Sequence, residues 1–249
     1  MQFVSILLIQ IRDAADPMAA HEVACLQRRW ERIPVKTRVR NVFDEVPDVS
    51  WLHGVDVLVI GGSGSYSVHD ARSSTWVDGL RRVLARAIDL NMVGMGLCFG
   101  HQLLAHHLGG EVVCEPDASE VGTIPVFLTE EGERDPVLGV LGVGPVRVQT
   151  GHSDSVIHPP RGLQVLAISD GAAAQAFRVD GGRFYSTQFH PDLTGSEAQA
   201  RYDALQAGAP QSEMDGGIPR DGLFEIGADQ STVLLRQLLH AFFSLPPVS

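Results

Sequence analysis

Over its first 110 residues the chain alternates short, continuous apolar runs with stretches in which apolar residues return every three or four positions. Phe3–Gln10 and Val55–Ile60 are runs of the first kind and predict buried strands, whereas Val35–Phe43 alternates apolar with polar residues and predicts a less buried one. Ala19, Val23, Leu26 and Trp30 recur at helical spacing. Asp16-Pro17, a capping residue followed by proline, starts that helix, which runs to about Arg29. Ser74 or Thr75 caps a second helix with an apolar face of Trp76, Leu80, Val83, Leu84, Ala87 and Ile88. Strand and helix in alternation predict right-handed crossovers and a parallel sheet covered on both faces.

From Glu111 the period shortens. Val112-Val113, Val121–Leu128, Val146–Gln149, Leu163–Ile168, Ala174–Val179 and Arg183–Phe189 read as short strands, the last two joined by the hairpin signal Asp180-Gly181-Gly182. Gly195–Ala207 and Thr232–Phe243 read as helices flanking a Gly/Pro-rich loop, Gly208–Gly222. The predicted fold is therefore α/β: an open, mixed, mostly parallel sheet flanked by helices, with an antiparallel extension.

One stretch departs from packing logic. Val93–Gly110 is an apolar run with glycines, then Cys98, then a helix closed by Gly109 and Gly110. Gly96 and Gly100 permit the strained strand-to-helix turn that exposes a nucleophile at the tip of a sheet, and no packing role for them is legible in the sequence. A cysteine at a helix N-terminus meets unpaired N–H groups and the positive end of the macrodipole, which stabilise a thiolate. In such a sheet the chemistry lies beyond the carboxyl ends of the strands, where both Cys98 and the Gly61–Ser65 loop fall. A nucleophilic cysteine needs a base, a group to orient it, and oxyanion donors. His190 follows a predicted strand, Asp192 stands two residues on, and the backbone N–H groups of Gly62 and Phe99 can serve the oxyanion.

Composition narrows the remainder. A net charge of −11 excludes a nucleic-acid surface. Three cysteines without a C-x-x-C pair exclude a disulfide framework and fit a reducing, cytoplasmic setting, with Cys25 and Cys114 read as small core residues. No apolar run reaches the ~20 residues of a membrane span, so no membrane partner is expected. His101, His106 and His107 lack the spacing and carboxylate of a metal site and read as a solvated or packed helix face; no metal or cofactor is implied. The length suits one domain over residues 1–249.

Three separated motifs resemble those of class I glutamine amidotransferases, in the family's order. Gly61-Gly62-Ser63-Gly64-Ser65 resembles its oxyanion strand, with Ser63 where proline is usual. Gly96-Leu97-Cys98-Phe99-Gly100-His101-Gln102 resembles its nucleophile motif, and Gln188-Phe189-His190-Pro191-Asp192 its base motif, with Asp192 where glutamate is usual. Gly151-His152-Ser153-Asp154 and Leu108–Val112 resemble the branch allied to the glutaminase of GMP synthetase. The resemblance implies a flavodoxin-like fold, hydrolysis of a γ-glutamyl amide (glutamine foremost) through a thioester on Cys98, proton transfer by His190, and orientation by Asp192. It implies oxyanion contacts from Gly62 and Phe99, substrate contacts from Gly61, Gln102, His152 and Ser153, and a separate synthetase subunit as the ammonia acceptor. A γ-glutamyl peptide or conjugate hydrolase with the same triad, and a non-catalytic partner-binding relative, are the alternatives. The shorter Asp192 predicts weakened orientation of the base.

Overall fold

The computed structural model describes residues 3–13, 15–64, 66–69, 74–114, 119–208 and 223–245. Ser65 of the glycine loop and residues 209–222 of the predicted Gly/Pro-rich loop lie outside them. Among the described residues nine strands form one sheet. β1 (Val4–Gln10), β2 (Val35–Asn41), β3 (Val57–Ile60), β4 (Val93–Leu97) and β11 (Phe184–Thr187) make its parallel half, in the order β2-β1-β3-β4-β11. β10 (Ala176–Val179), β9 (Leu163–Ile168), β6 (Glu120–Leu128) and β7 (Pro145–His152) continue it antiparallel. The mixed sheet predicted from the change of period is thus the sheet observed.

Both faces of the central strands are apolar because both are covered. On one face, α1 (Met18–Arg29) and α6 (Leu234–Phe242) bury Leu26, Leu234, Leu235 and Leu238 against Ile6, Leu8, Val57 and Met95. On the other, α2 (Ser74–Asp89) and α3 (Phe99–His107) bury Trp76, Leu80, Leu84 and Leu103 against Leu7, Ile9, Leu58 and Ile60. The Asp16 carboxylate accepts from Met18 N at 2.8 Å, the cap that Asp16-Pro17 predicts.

Among the described residues one strand and one α-helix were not predicted. Asp154–His158 is a strand (β8) that reverses directly from β7 and pairs with β5 (Glu111–Cys114) in a separate two-stranded sheet. Glu130–Arg134 is a one-turn helix (α4) whose N-cap, Thr129, accepts from Gly132 N. Cys114 is exposed, not a core residue, because β5 is a peripheral strand; Cys25 is buried as expected. His101 is fully buried, stacked on Phe177 with ring centroids 4.3 Å apart, and burial lowers its pKa to about 3. It is a neutral core histidine.

Candidate active site

Three adjacent parallel strands bring the motifs together. β3 ends at Ile60 and opens into Gly61-Gly62; β4 ends at Leu97 and opens onto Cys98; β11 ends at Thr187 and leads to His190. Ile60 and Ser186 both register with Gly96, so the three loops leave the sheet at one level.

Cys98 has φ 49° and ψ −97°. That is the left-handed region, which costs a non-glycine residue about 1–3 kcal/mol. Its N–H donates to Thr187 O at 2.8 Å, and its own carbonyl accepts from His101 N and Gln102 N. The two elbow glycines do have a packing purpose, contrary to expectation. A Cβ on Gly96 would stand 2.6 Å from Gly100 O, and one on Gly100 would stand 2.6 Å from Ile60 O. They let α3 lie directly on the ends of β3 and β4.

The base and its acid follow. His190 and Cys98 stand side by side against Gly62, and His190 Nδ1 lies 3.0 Å from Asp192 Oδ1. Asp192 therefore reaches the imidazole directly despite being one methylene short of glutamate. Burial disfavours the imidazolium, but the Asp192 carboxylate and the hydrogen bonds to Asp192 and Cys98 outweigh it and raise the His190 pKa to about 9. Burial disfavours the Asp192 carboxylate too, yet His190 and Arg201 hold its pKa far below the usual range. At neutral pH His190 therefore holds its proton.

Gly62 faces this pair. A Cβ there would lie 3.3 Å from His190 Cε1 and 3.7 Å from Cys98 Cβ, so the missing side chain leaves the space between Cys98 and His190 open. Gly61 points elsewhere: its N–H donates to Ile9 O, and its Cα packs on Glu22. Phe99, at the first position of α3, carries an N–H without an intrahelical acceptor.

Residues 9–206 match the model of the family described as glutamine amidotransferase class-I. The chain belongs to that family. A subunit of the glutamine-hydrolyzing GMP synthase from Sulfurisphaera tokodaii is 33% identical over 150 residues, which span 60% of this chain and 73% of its relative. Its counterpart from Sulfolobus acidocaldarius matches to the same extent. A glutamine amidotransferase from Thermotoga maritima has the same fold, with a TM-score of 0.72 and 17% identity over 97% of this chain and 99% of the other.

Within this amidotransferase two of the expected substrate contacts have other work. Gln102 is buried, and its Nε2 donates to Asp154 O at 2.8 Å and to Gln188 Oε1 at 3.2 Å. His152 is buried with Nδ1 on Asp154 O and Nε2 on Glu120 Oε2. Both fasten the β7–β8 reversal to the rest of the fold. Ser153, at the tip of that reversal, is exposed. Sequence reasoning missed Gln188, whose Nε2 approaches Cys98 Sγ at 3.6 Å, and Arg201, whose Nη2 lies 3.2 Å from Asp192 Oδ2. The first stands inside a quoted motif; no motif marks the second.

Proposed function

We propose that this amidotransferase hydrolyses the side-chain amide of glutamine through a covalent thioester. Cys98 Sγ attacks the amide carbon, and the oxyanion forms against the N–H groups of Gly62 and Phe99. The C–N bond breaks as His190 gives its proton to the leaving nitrogen, which departs as ammonia. A water then loses a proton to His190 and adds to the thioester carbon; the C–S bond breaks, releasing glutamate and restoring the Cys98 thiolate beside the protonated His190. Asp192 keeps Nδ1 protonated and the ring aimed. The observation that carries this reading is the strained Cys98 with His190 and a glycine, Gly62, beside it. The relatives from Sulfurisphaera tokodaii and Sulfolobus acidocaldarius are themselves subunits of a GMP synthase, which supports a separate synthetase chain as the acceptor of the ammonia.

One feature favours a second substrate. A cavity of about 60 Å³ borders His190, Arg201, Gln149 and Thr150, and its apolar side is walled by Leu193, Ala198, Tyr202, Leu205 and Phe224. An apolar substituent on the leaving nitrogen fits such a wall, which describes a γ-glutamyl conjugate rather than glutamine. Intact mass after exposure to a γ-glutamyl diazoketone tests the shared chemistry: an adduct on the wild type and none on Cys98→Ser is expected. No adduct, with Cys98 still open to iodoacetamide, refutes a γ-glutamyl pocket and favours the non-catalytic relative. Rates on glutamine against γ-glutamyl alkylamides then separate the two substrates.

A further inference from the structure

Asp192 uses one carboxylate oxygen on His190 and turns the other, Oδ2, to Arg201. Arg201 comes from α5 (Gly195–Gly208) and is 6% exposed; Asp192 is 1% exposed. A guanidinium buried this far loses its hydration, which only close, well-aimed counter-charges offset. Asp192 is bonded to it, and Glu22, buried on α1, acts on it through space. Glu22 also accepts from Gln10 Nε2 at 2.8 Å, and its Oε1 would stand 2.7 Å from a Cβ at Gly61. The guanidinium nearest Glu22 is that of Arg12, with Nη2 3.7 Å from Oε1, so the carboxylate that Arg201 bonds is Asp192.

Resting on the triad reading above, we propose that Arg201 is a positioning residue that acts on His190 through Asp192, substituting a fixed counter-ion for the missing methylene of the usual glutamate. With His190 as its one side-chain partner, the carboxylate would be free to rotate about its terminal bond. The guanidinium removes that freedom by holding the second oxygen. Arg201 Nη1 also lies 3.5 Å from His190 Nδ1, but the proton on Nδ1 is committed to Asp192, so Arg201 gives His190 no hydrogen bond of its own. Its hydrogen-bonded route to the imidazole is the carboxylate, and that part of its action is conditional on Asp192.

A double-mutant cycle on the full chain reads that condition. Glutamine hydrolysis is measured for the wild type, Arg201→Met, Arg201→Lys, Asp192→Asn and both Arg201 variants in the Asp192→Asn background, with Cys98→Ala as control. Arg201→Met is expected to lower kcat about tenfold or more with KM within about threefold, because an aimed base acts on the transition state rather than on substrate binding. Arg201→Lys, which keeps the charge without the planar fork, is expected to lose less, about threefold. Neither substitution is expected to cost more than about twofold once Asp192 is Asn. A purely structural arginine would lower activity equally in both backgrounds, and that result overturns the proposal while leaving the triad standing. Equal kcat for Arg201→Met and wild type does the same. Should Arg201→Met fail to fold, the Lys pair carries the same comparison. Activity surviving in Cys98→Ala would overturn the triad reading, and the proposal with it.

Discussion

Replacing Gly62 by alanine separates catalysis from folding at this site. The φ of Gly62 lies outside the left-handed region, so alanine adopts its backbone without strain. The new methyl would meet His190 Cε1 at 3.3 Å, Cys98 Cβ at 3.7 Å and His190 Nε2 at 3.9 Å. Only the first contact is tight, and it is relieved by a few tenths of an ångström of ring movement. Restricting the unfolded chain returns about 0.4–1 kcal/mol, so net stability should stay within about 1 kcal/mol of wild type. For a chain of this size that is a Tm change of about 2–4 °C. Catalysis has no such tolerance. The methyl occupies the space between nucleophile and base where the scissile carbonyl must enter, and it displaces the carbonyl oxygen from the Gly62 N–H. Loss of one oxyanion donor costs about 10²–10³ in kcat, and exclusion of the substrate adds to it. Ammonia release from glutamine, with Tm by differential scanning fluorimetry, measures both. A kcat/KM at least about 100-fold down with an unchanged Tm is expected. Activity within about threefold of wild type would refute the placement of the reacting carbonyl, and a collapse of Tm would refute the packing estimate.

The elbow glycines should behave in the opposite way. Gly100→Ala drives a Cβ to 2.6 Å from the Ile60 carbonyl, a backbone atom that cannot swing aside, so a Tm loss on the order of 5 °C or insolubility is expected; a variant with wild-type Tm would contradict the contact. Asp192→Asn should lower kcat less than His190→Gln, since the first removes orientation and the second the proton carrier, and equal losses in steady-state assays would reverse that order. The pH dependence of stability has a fixed sign. His190 binds its proton more tightly folded than unfolded, so its contribution is complete below the unfolded value of 6.5 and fades as pH rises through about 9. Up to about 3 kcal/mol of unfolding free energy should be lost over that window, and less in His190→Gln; parallel urea-denaturation profiles for the two proteins between pH 6 and 10 would sink the ion-pair account.

Most of the fold was legible because its signals are local. Strand β3 is a solid apolar run, the α2 face repeats at helical spacing, and each of the three motifs sits at the end of such a run. The convergence of Cys98, His190 and Gly62 was legible as well, since parallel strands put their loops on one edge. What the sequence hid depends on partners far along the chain. Gln102 and His152 look like polar residues available to a ligand, yet they are buried by acceptors 52 and 32 residues away, Asp154 and Glu120. β8 is short and gains its ladder only from β5, a pairing no local pattern announces. Arg201 lies on a helix among other polar residues, and only its burial against Asp192 distinguishes it from Arg28 and Arg29, whose side chains pair with Glu197 nearer the surface.

The glycines and the strained cysteine are two sides of one constraint. A residue at φ 49° relaxes unless its surroundings forbid it, and here they do so from three directions. Its N–H is fixed by Thr187 O, its carbonyl by the first turn of α3, and the helix is held down by the contact of Gly100 with Ile60 O. Each fastening comes from a different element: β11, α3 and β3. The same three elements supply the base, the helix N-terminus and the oxyanion loop. A substitution that relaxed the elbow would therefore also part the groups that make Cys98 useful, so loss of strain and loss of catalysis should appear together in any elbow variant that still folds.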